Sequence, residues 1–313
     1  MADFRVVVTD QVFPDVDLER ELLGAAGGAV EVAEGDRDDV LAVARDADAL
    51  LNTYFGLDES NIGGLTRCKI VARYGIGVDN VDLEAARRAG IAVTNVPDYC
   101  VEEVATHTVG LVLALVRRIP LGDATVRAGG WGIGGLGEVY RFSALTVGLL
   151  GYGRIARRVA AVVRCLGADV VAHDPYVESV GAGERMAGLD ELLASSDVLC
   201  VHCPLTPETR GMINASTLAR MKPGANLVNT SRGPIAVLDD VLGALREGRL
   251  GGAALDVFET EPPPVERLEG VPNLLVTPHA AFYSREAIRE SQRKAATQVL
   301  KAIRGQPLDY RVV

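Results

Sequence analysis

Apolar residues fall along this chain in short runs rich in valine, leucine and isoleucine. Between the runs lie longer stretches in which apolar residues recur every three or four positions. The short runs predict strands and the longer stretches predict helices. Strands are expected at residues 5–8, 69–72, 91–94, 146–150, 169–172, 198–201, 226–229, 253–255 and 274–276. Helices are expected at 18–26, 83–89, 101–118, 155–166, 238–247 and 285–303. Continuously apolar strands alternating with helices imply parallel sheets covered on both faces, so the class is doubly wound α/β.

Two stretches depart from this rhythm. The predicted helix over 101–118 is almost wholly apolar between Val109 and Val116, which marks deep core or an interface. It reads as a bridge between two domains and as part of a dimer contact. Residues 119–141 carry seven glycines, six of them gathered around the only tryptophan, Trp131, and are expected to form a loop.

Composition narrows the class. The 313 residues are 48% hydrophobic and 24% charged, enough for about two domains with packed cores. The net charge of −10 disfavours a nucleic-acid or anionic-membrane surface. No run reaches about 18 apolar residues, so no membrane span is expected. The start lacks the basic end and cleavage site of a signal peptide. Five cysteines, an odd count, then point to reduced thiols and a cytoplasmic setting. Cys200 and Cys203 sit in an apolar strand-like run with no second pair, so they read as buried rather than metal-binding, and no metal is expected.

The first chemical signal is Gly151-Tyr-Gly153-Arg154-Ile155-Ala156, where a predicted strand turns into a helix. In the pattern G-x-G-x-x-G/A the first glycine allows a tight turn. The second lets the backbone approach a pyrophosphate, and the small third residue permits close helix–strand packing. The helix start offers free N–H groups to the phosphate. Asp174 ends the next strand about twenty residues on, where a ribose hydroxyl acceptor is expected. Its charge would repel a 2′-phosphate, and Pro175 follows rather than arginine, so NAD is favoured over NADP. Arg154 is placed to reach the pyrophosphate.

Three further residues stand at or just beyond predicted strand ends: Arg232, Glu261 and His279. Ligands of open α/β sheets bind outside such carboxyl ends. A guanidinium binds a carboxylate with two parallel hydrogen bonds, which suits Arg232 to a 2-oxo acid. Histidine titrates near neutrality, so His279 can pass a proton to a carbonyl as hydride arrives. A carboxylate at Glu261 would orient and stabilise the imidazolium.

With these motifs in order the chain resembles the D-isomer-specific 2-hydroxyacid dehydrogenases. The matching pieces run from Gly75-Ile76-Gly77-Val-Asp-Asn80 and Asn95-Val-Pro97 through the Gly151 turn and His173-Asp-Pro175-Tyr. They continue through Ser231-Arg-Gly233, Gly252-Ala-Ala-Leu-Asp256 and Glu261-Pro262 to Pro278-His279. The resemblance implies two doubly wound domains with a cleft between them: a flavodoxin-like substrate domain from residues 1–100 and 283–313, and a Rossmann NAD domain from 101–282. It implies a homodimer and a small 2-oxo or 2-hydroxy acid as substrate. It further implies that Tyr74, Gly75, Ile76 and Gly77 lie at the substrate, with backbone amides around Ile76 and Gly77 on its carboxylate. Asp256 is expected at the nicotinamide amide. Cys203, Pro204, Thr209, Thr230 and Ser231 are expected along the cofactor.

After Gly233 the acids common in the family are missing, which bears on a helix cap and not on catalysis. The run His279-Ala-Ala-Phe282-Tyr283 is similar to the C-terminal-binding-protein corepressors, which carry tryptophan at the Phe282 position. An NAD(H)-binding interaction protein with little turnover is therefore the alternative reading. Tyr74, Tyr99, Trp131, Phe282 and Tyr283 are candidates for an aromatic pocket wall. Arg73 or Arg141, turned inward, would suit a second anion, and His107 reads as structural.

Overall fold

The computed structural model describes residues 2–313. The chain divides into two compact units, Met1–Tyr99 with Ser284–Val313, and Cys100–Tyr283. In the first unit, β1 (Phe4–Val8), β2 (Gly28–Val32), β3 (Ala49–Asn52), β4 (Ile70–Arg73) and β5 (Ala92–Thr94) form one parallel sheet in the order β2-β1-β3-β4-β5. Its central strands are buried on both faces, with Val6, Leu50, Ile70 and Val71 fully inaccessible. The helix Arg285–Ile303 packs on β3 and β4, so the last part of the chain completes this core. Residues 311–313 then run along β5, where Val312 N–H donates to Val93 O at 2.8 Å.

The second unit holds seven parallel strands. They are β6 (Thr146–Leu150), β7 (Asp169–His173), β8 (Glu184–Met186), β9 (Val198–Val201), β10 (Ala225–Asn229), β11 (Leu250–Leu255) and β12 (Leu274–Val276), in the order β12-β11-β10-β9-β6-β7-β8. Alternate residues of β6 serve opposite layers. Val147 and Leu149 pack with the helices Val101–Val116 and Arg154–Cys165, and Leu150 packs with Leu192, Leu193 and Val241 on the other face. The chain winds outward from β6 to β8 and then crosses to β9. The carboxyl ends of β6 and β9 therefore flank the point where strand order reverses, the usual ligand position of such sheets.

Nine predicted strands and six predicted helices are present, with ends moved by up to three residues. Three strands escape the sequence pattern. β2 is half exposed and begins Gly-Ala, β3 is only four residues long, and β8 is a polar three-residue edge. The expected loop over 119–141 needs correction: Ile119–Arg127 is a helix opened by Pro120, and the glycines gather after it. Proline suits the first turn of a helix, where its missing N–H costs nothing. Among the described residues no single helix is long and apolar enough to cross a membrane. The apolar Val101–Val116 helix belongs to the core of the second unit.

Candidate active site

The turn after β6 carries the glycine fingerprint. Gly151 has φ +93°, and a Cβ there would lie 2.5 Å from Cys203 N, so only glycine fits where the turn after β6 passes close to the end of β9. Gly153 is different. Its φ is −78°, and a Cβ would meet nothing within 4 Å. Neither backbone nor protein packing demands glycine at 153. Open space above the first turn of Arg154–Cys165, which has no side-chain cap, matches the approach of an anionic group. Asp174 is already oriented: its Oδ2 accepts from Tyr152 N–H at 2.8 Å and its Oδ1 from Tyr176 N–H at 2.9 Å. The residues present therefore fit a dinucleotide. Arg154 and Pro175 are exposed, and Ile155 packs against the core.

Several other residues expected along the cofactor have side chains that are buried or hydrogen-bonded within the protein. Burial pushes the Cys203 thiol up to about 11 and the Cys200 thiol up to about 12, so both stay protonated. Ser231 Oγ donates to Cys203 O at 2.5 Å, and the Thr230 hydroxyl meets Thr108 Oγ1 at 2.8 Å. Thr209 Oγ1 donates to Pro204 O at 2.7 Å, closing the loop after β9. Burial pushes the His202 imidazole down to about 4, and its buried Nε2 has no hydrogen-bond partner among the described residues.

Arg232, Glu261 and His279 come from the ends of β10, β11 and β12. Gly233 lets the segments after β10 and β11 pack closely, since a Cβ there would sit 1.9 Å from the Phe258 carbonyl carbon. Glu261 Oε1 accepts from Phe258 N–H at 3.0 Å, and Oε2 lies 2.7 Å from His279 Nδ1. Burial raises the Glu261 carboxyl. The His279 and Phe258 hydrogen bonds, with the positive charge of His279 and Arg232, outweigh it and leave the group below its ordinary value. The Phe282 ring stands edge-on to His279 with centroids 6.2 Å apart.

His279 itself adopts φ +51°, uncommon for any residue but glycine. Its N–H donates to Asp256 O at 2.8 Å and Thr277 O at 3.0 Å. The buried Asp256 carboxylate holds the rest of the turn. Oδ1 accepts from Thr277 Oγ1 (2.5 Å) and Ala280 N–H (2.9 Å), and Oδ2 from Ala281 N–H (3.0 Å). His107 Nε2 stands 3.2 Å from Thr277 Oγ1 and 3.7 Å from Asp256 Oδ1. Asp256 is thus first the anchor of the histidine turn, a role its spacing in the sequence does not signal. The sign that could have shown it is Thr277-Pro-His279 opposite an acid at the neighbouring strand end.

In the first unit, the loop after β4 has a distinct backbone pattern. Tyr74 O accepts from Ser291 Oγ at 2.6 Å, Gly75 O from Val96 N–H at 3.0 Å, and Ile76 O from Asn95 Nδ2 at 2.7 Å. Among the described residues the N–H groups of Gly75, Ile76 and Gly77 find no acceptor. Consecutive open amides of this kind attract anions. The aromatic wall needs correction. Tyr74 is 2% exposed, packs edge-on against Phe13 and donates its hydroxyl to Glu19, so its ring is core. Tyr99 is buried as well, whereas Trp131 is 91% exposed. Arg73 is buried and donates to Asn52 Oδ1 and Thr53 O, and Arg141 is exposed.

Comparison with known proteins places the chain. The family described as D-isomer specific 2-hydroxyacid dehydrogenase, NAD binding domain, matches residues 109–281. The D-3-phosphoglycerate dehydrogenase of Mycobacterium tuberculosis is 38% identical over 306 residues, covering 96% of this chain and 56% of that one. The chain thus spans little more than half the length of such curated relatives. The TT0316 protein of Thermus thermophilus superposes with a TM-score of 0.90 at 35% identity, covering 99% of this chain and all of that one. A D-lactate dehydrogenase of Aquifex aeolicus, solved with NAD and lactic acid, gives 0.91 at 27% identity, covering 99% of each. The chain belongs to the D-isomer specific 2-hydroxyacid dehydrogenase family, and residues 109–281 are its NAD-binding domain.

Proposed function

We propose that the chain is an NAD-dependent oxidoreductase that reduces a small 2-oxo acid to the D-2-hydroxy acid and catalyses the reverse reaction. The 2.7 Å contact between His279 Nδ1 and Glu261 Oε2 carries this reading. A carboxylate on Nδ1 takes that N–H, which leaves Nε2 to exchange a proton with the reacting oxygen. NADH, when bound, supplies the hydride to the carbonyl carbon. His279 delivers its Nε2 proton to the carbonyl oxygen and takes it back in the oxidative direction. Glu261, held ionised, compensates the imidazolium. Arg232 binds the substrate carboxylate, and the open amides of Gly75, Ile76 and Gly77 in the first unit are suited to a carboxylate. Phe282, edge-on to His279, limits the bulk allowed beside the carbonyl.

The Gly151–Gly153 turn, with Arg154 and Ile155 at the helix start, would hold the pyrophosphate. Asp174 and Pro175 would hold the ribose, and Cys203, Pro204, Thr209, Thr230 and Ser231 would line the remainder, while Asp256 acts through the histidine turn. The names of the relatives support a hydroxy acid that bears a carboxylate. The test is NADH oxidation with glyoxylate, pyruvate, hydroxypyruvate and phenylpyruvate. Saturable turnover on at least one, abolished in His279→Ala, is expected. Tight NADH binding with no turnover on any member would overturn the reading in favour of an NAD(H)-dependent interaction protein.

The proposal includes a homodimer. The helix Ile119–Arg127 has no buried residue, and Ile119, Val126, Trp131 and Ile133 are all exposed, which a second copy would cover. Light scattering should return twice the chain mass, and Trp131→Asp should lower it.

A further inference from the structure

We propose that Glu19, acting through the Tyr74 hydroxyl, is a positioning residue for the amide row Gly75–Gly77. The inference rests on the carboxylate-binding reading of that row. In a trans peptide the N–H points opposite to the carbonyl of the preceding residue. The N–H groups of Gly75, Ile76 and Gly77 are therefore aimed by the carbonyls of Tyr74, Gly75 and Ile76. All three carbonyls are engaged by the protein, by Ser291 Oγ, Val96 N–H and Asn95 Nδ2 respectively. Fixing them inward turns three successive donors outward.

Tyr74 is the residue on which this arrangement hangs. Its N–H donates to Asn52 O at 2.9 Å, tying it to β3, and its ring edge meets Phe13 at 5.1 Å. Its hydroxyl donates to Glu19 Oε1 at 2.6 Å. The second oxygen, Oε2, accepts from Gln292 Nε2 at 3.0 Å, and the same amide group reaches Asp15 O at 2.9 Å. Glu19 is fully inaccessible and shares the inner face of the helix Asp17–Gly24 with Leu23, where an apolar residue is the ordinary choice. Gln292 and Ser291 are neighbours on Arg285–Ile303 and are likewise buried. Ser291 holds the Tyr74 carbonyl and Gln292 holds the acid that holds the Tyr74 hydroxyl. One carboxyl thereby locks two helices and a strand end around the residue that opens the amide row. Burial raises the Glu19 carboxyl above its ordinary value against the hydrogen bonds from Tyr74 and Gln292. Such a group is costly to bury and is poorly explained as filler.

The experiment uses the full chain labelled with ¹⁵N and titrated with oxamate, a carboxylate probe that does not turn over. In the wild type the amides of Gly75, Ile76 and Gly77 should shift saturably. Tyr74→Phe, Glu19→Ala and the milder Ser291→Ala should each weaken oxamate by about fivefold or more, the scale of one lost hydrogen bond. Each should raise the KM of the 2-oxo acid similarly, with kcat and the KM of NADH held within about twofold. Glu19→Gln keeps an oxygen for the Tyr74 hydroxyl but sets its NH₂ against the Gln292 NH₂, so it should weaken oxamate less than Glu19→Ala does. Wild-type oxamate affinity in folded Tyr74→Phe and Ser291→Ala overturns the inference, as do unmoved amides in the wild type. Shifted amides without turnover on any 2-oxo acid sink the dehydrogenase reading alone.

Discussion

Asp256→Asn tests whether the buried carboxylate holds the catalytic turn. The substitution keeps volume and exchanges one oxygen for an amino group. Two donors, Thr277 Oγ1–H and Ala280 N–H, converge on Oδ1, so the amide oxygen will take that side. Its NH₂ then faces the Ala281 N–H, which loses its acceptor. A buried donor left without a partner, together with the lost charge, costs about 2–3 kcal/mol. The turn also keeps His279 at φ +51°, a conformation that costs roughly 1 kcal/mol for a residue bearing a Cβ. A loosened turn will relax toward negative φ and withdraw the ring from Glu261. Misplacement on the 1 Å scale lowers rates by about a hundredfold. The assay pairs chemical denaturation with steady-state kinetics on the best 2-oxo acid. Lowered stability with kcat down about tenfold to a hundredfold is expected. Wild-type stability and kcat, with a rise in the KM of NADH alone, would refute the turn-holding argument and assign Asp256 to the cofactor.

Gly153→Ala separates packing from ligand demand. The methyl meets no protein atom, so thermal stability should hold or rise slightly, while NADH affinity falls at least about tenfold in a fluorescence titration. Asp174→Asn removes the charge that faces a 2′-phosphate, and the ratio of NADH to NADPH kcat/KM should drop at least about tenfold. His202 gives a pH signature. Its folded value of about 4 lies below the ordinary 6.5 of histidine, so the unfolded chain binds the proton first. The contribution is complete above pH 6.5 and is lost as pH falls toward 4. His202→Asn should flatten the wild-type loss of stability across that window, a loss of up to about 3 kcal/mol. An unchanged slope in denaturation series would count against this.

The parts of the site legible in the sequence are those carried by a backbone rule or a local charge. Gly151 had to be glycine, and Arg232, Glu261 and His279 each stand beside a strand the apolar runs already predict. What escaped depends on residues far apart in the chain meeting in space. Asp256 serves the 277–281 turn across two strands, and Glu19 meets Gln292 at a separation of 273 residues. Tyr74 shows the opposite failure. An aromatic beside a glycine loop reads as a pocket wall, yet the end of β4 turns its ring toward the first helix. Edge strands such as β8 were silent because half-exposed segments need no apolar run.

The route of the chain has a consequence for the order of events during synthesis. The five-stranded sheet lacks the cover of Arg285–Ile303 and the pairing of residues 311–313 until everything in Cys100–Tyr283 has been made. A nascent chain halted before residue 284 holds all the strands of the first unit but leaves one face of β3 and β4 bare. The inserted unit depends on no later segment for its seven strands. The middle of this polypeptide is therefore able to mature before its beginning, and the N-terminal hundred residues need protection from aggregation for longest.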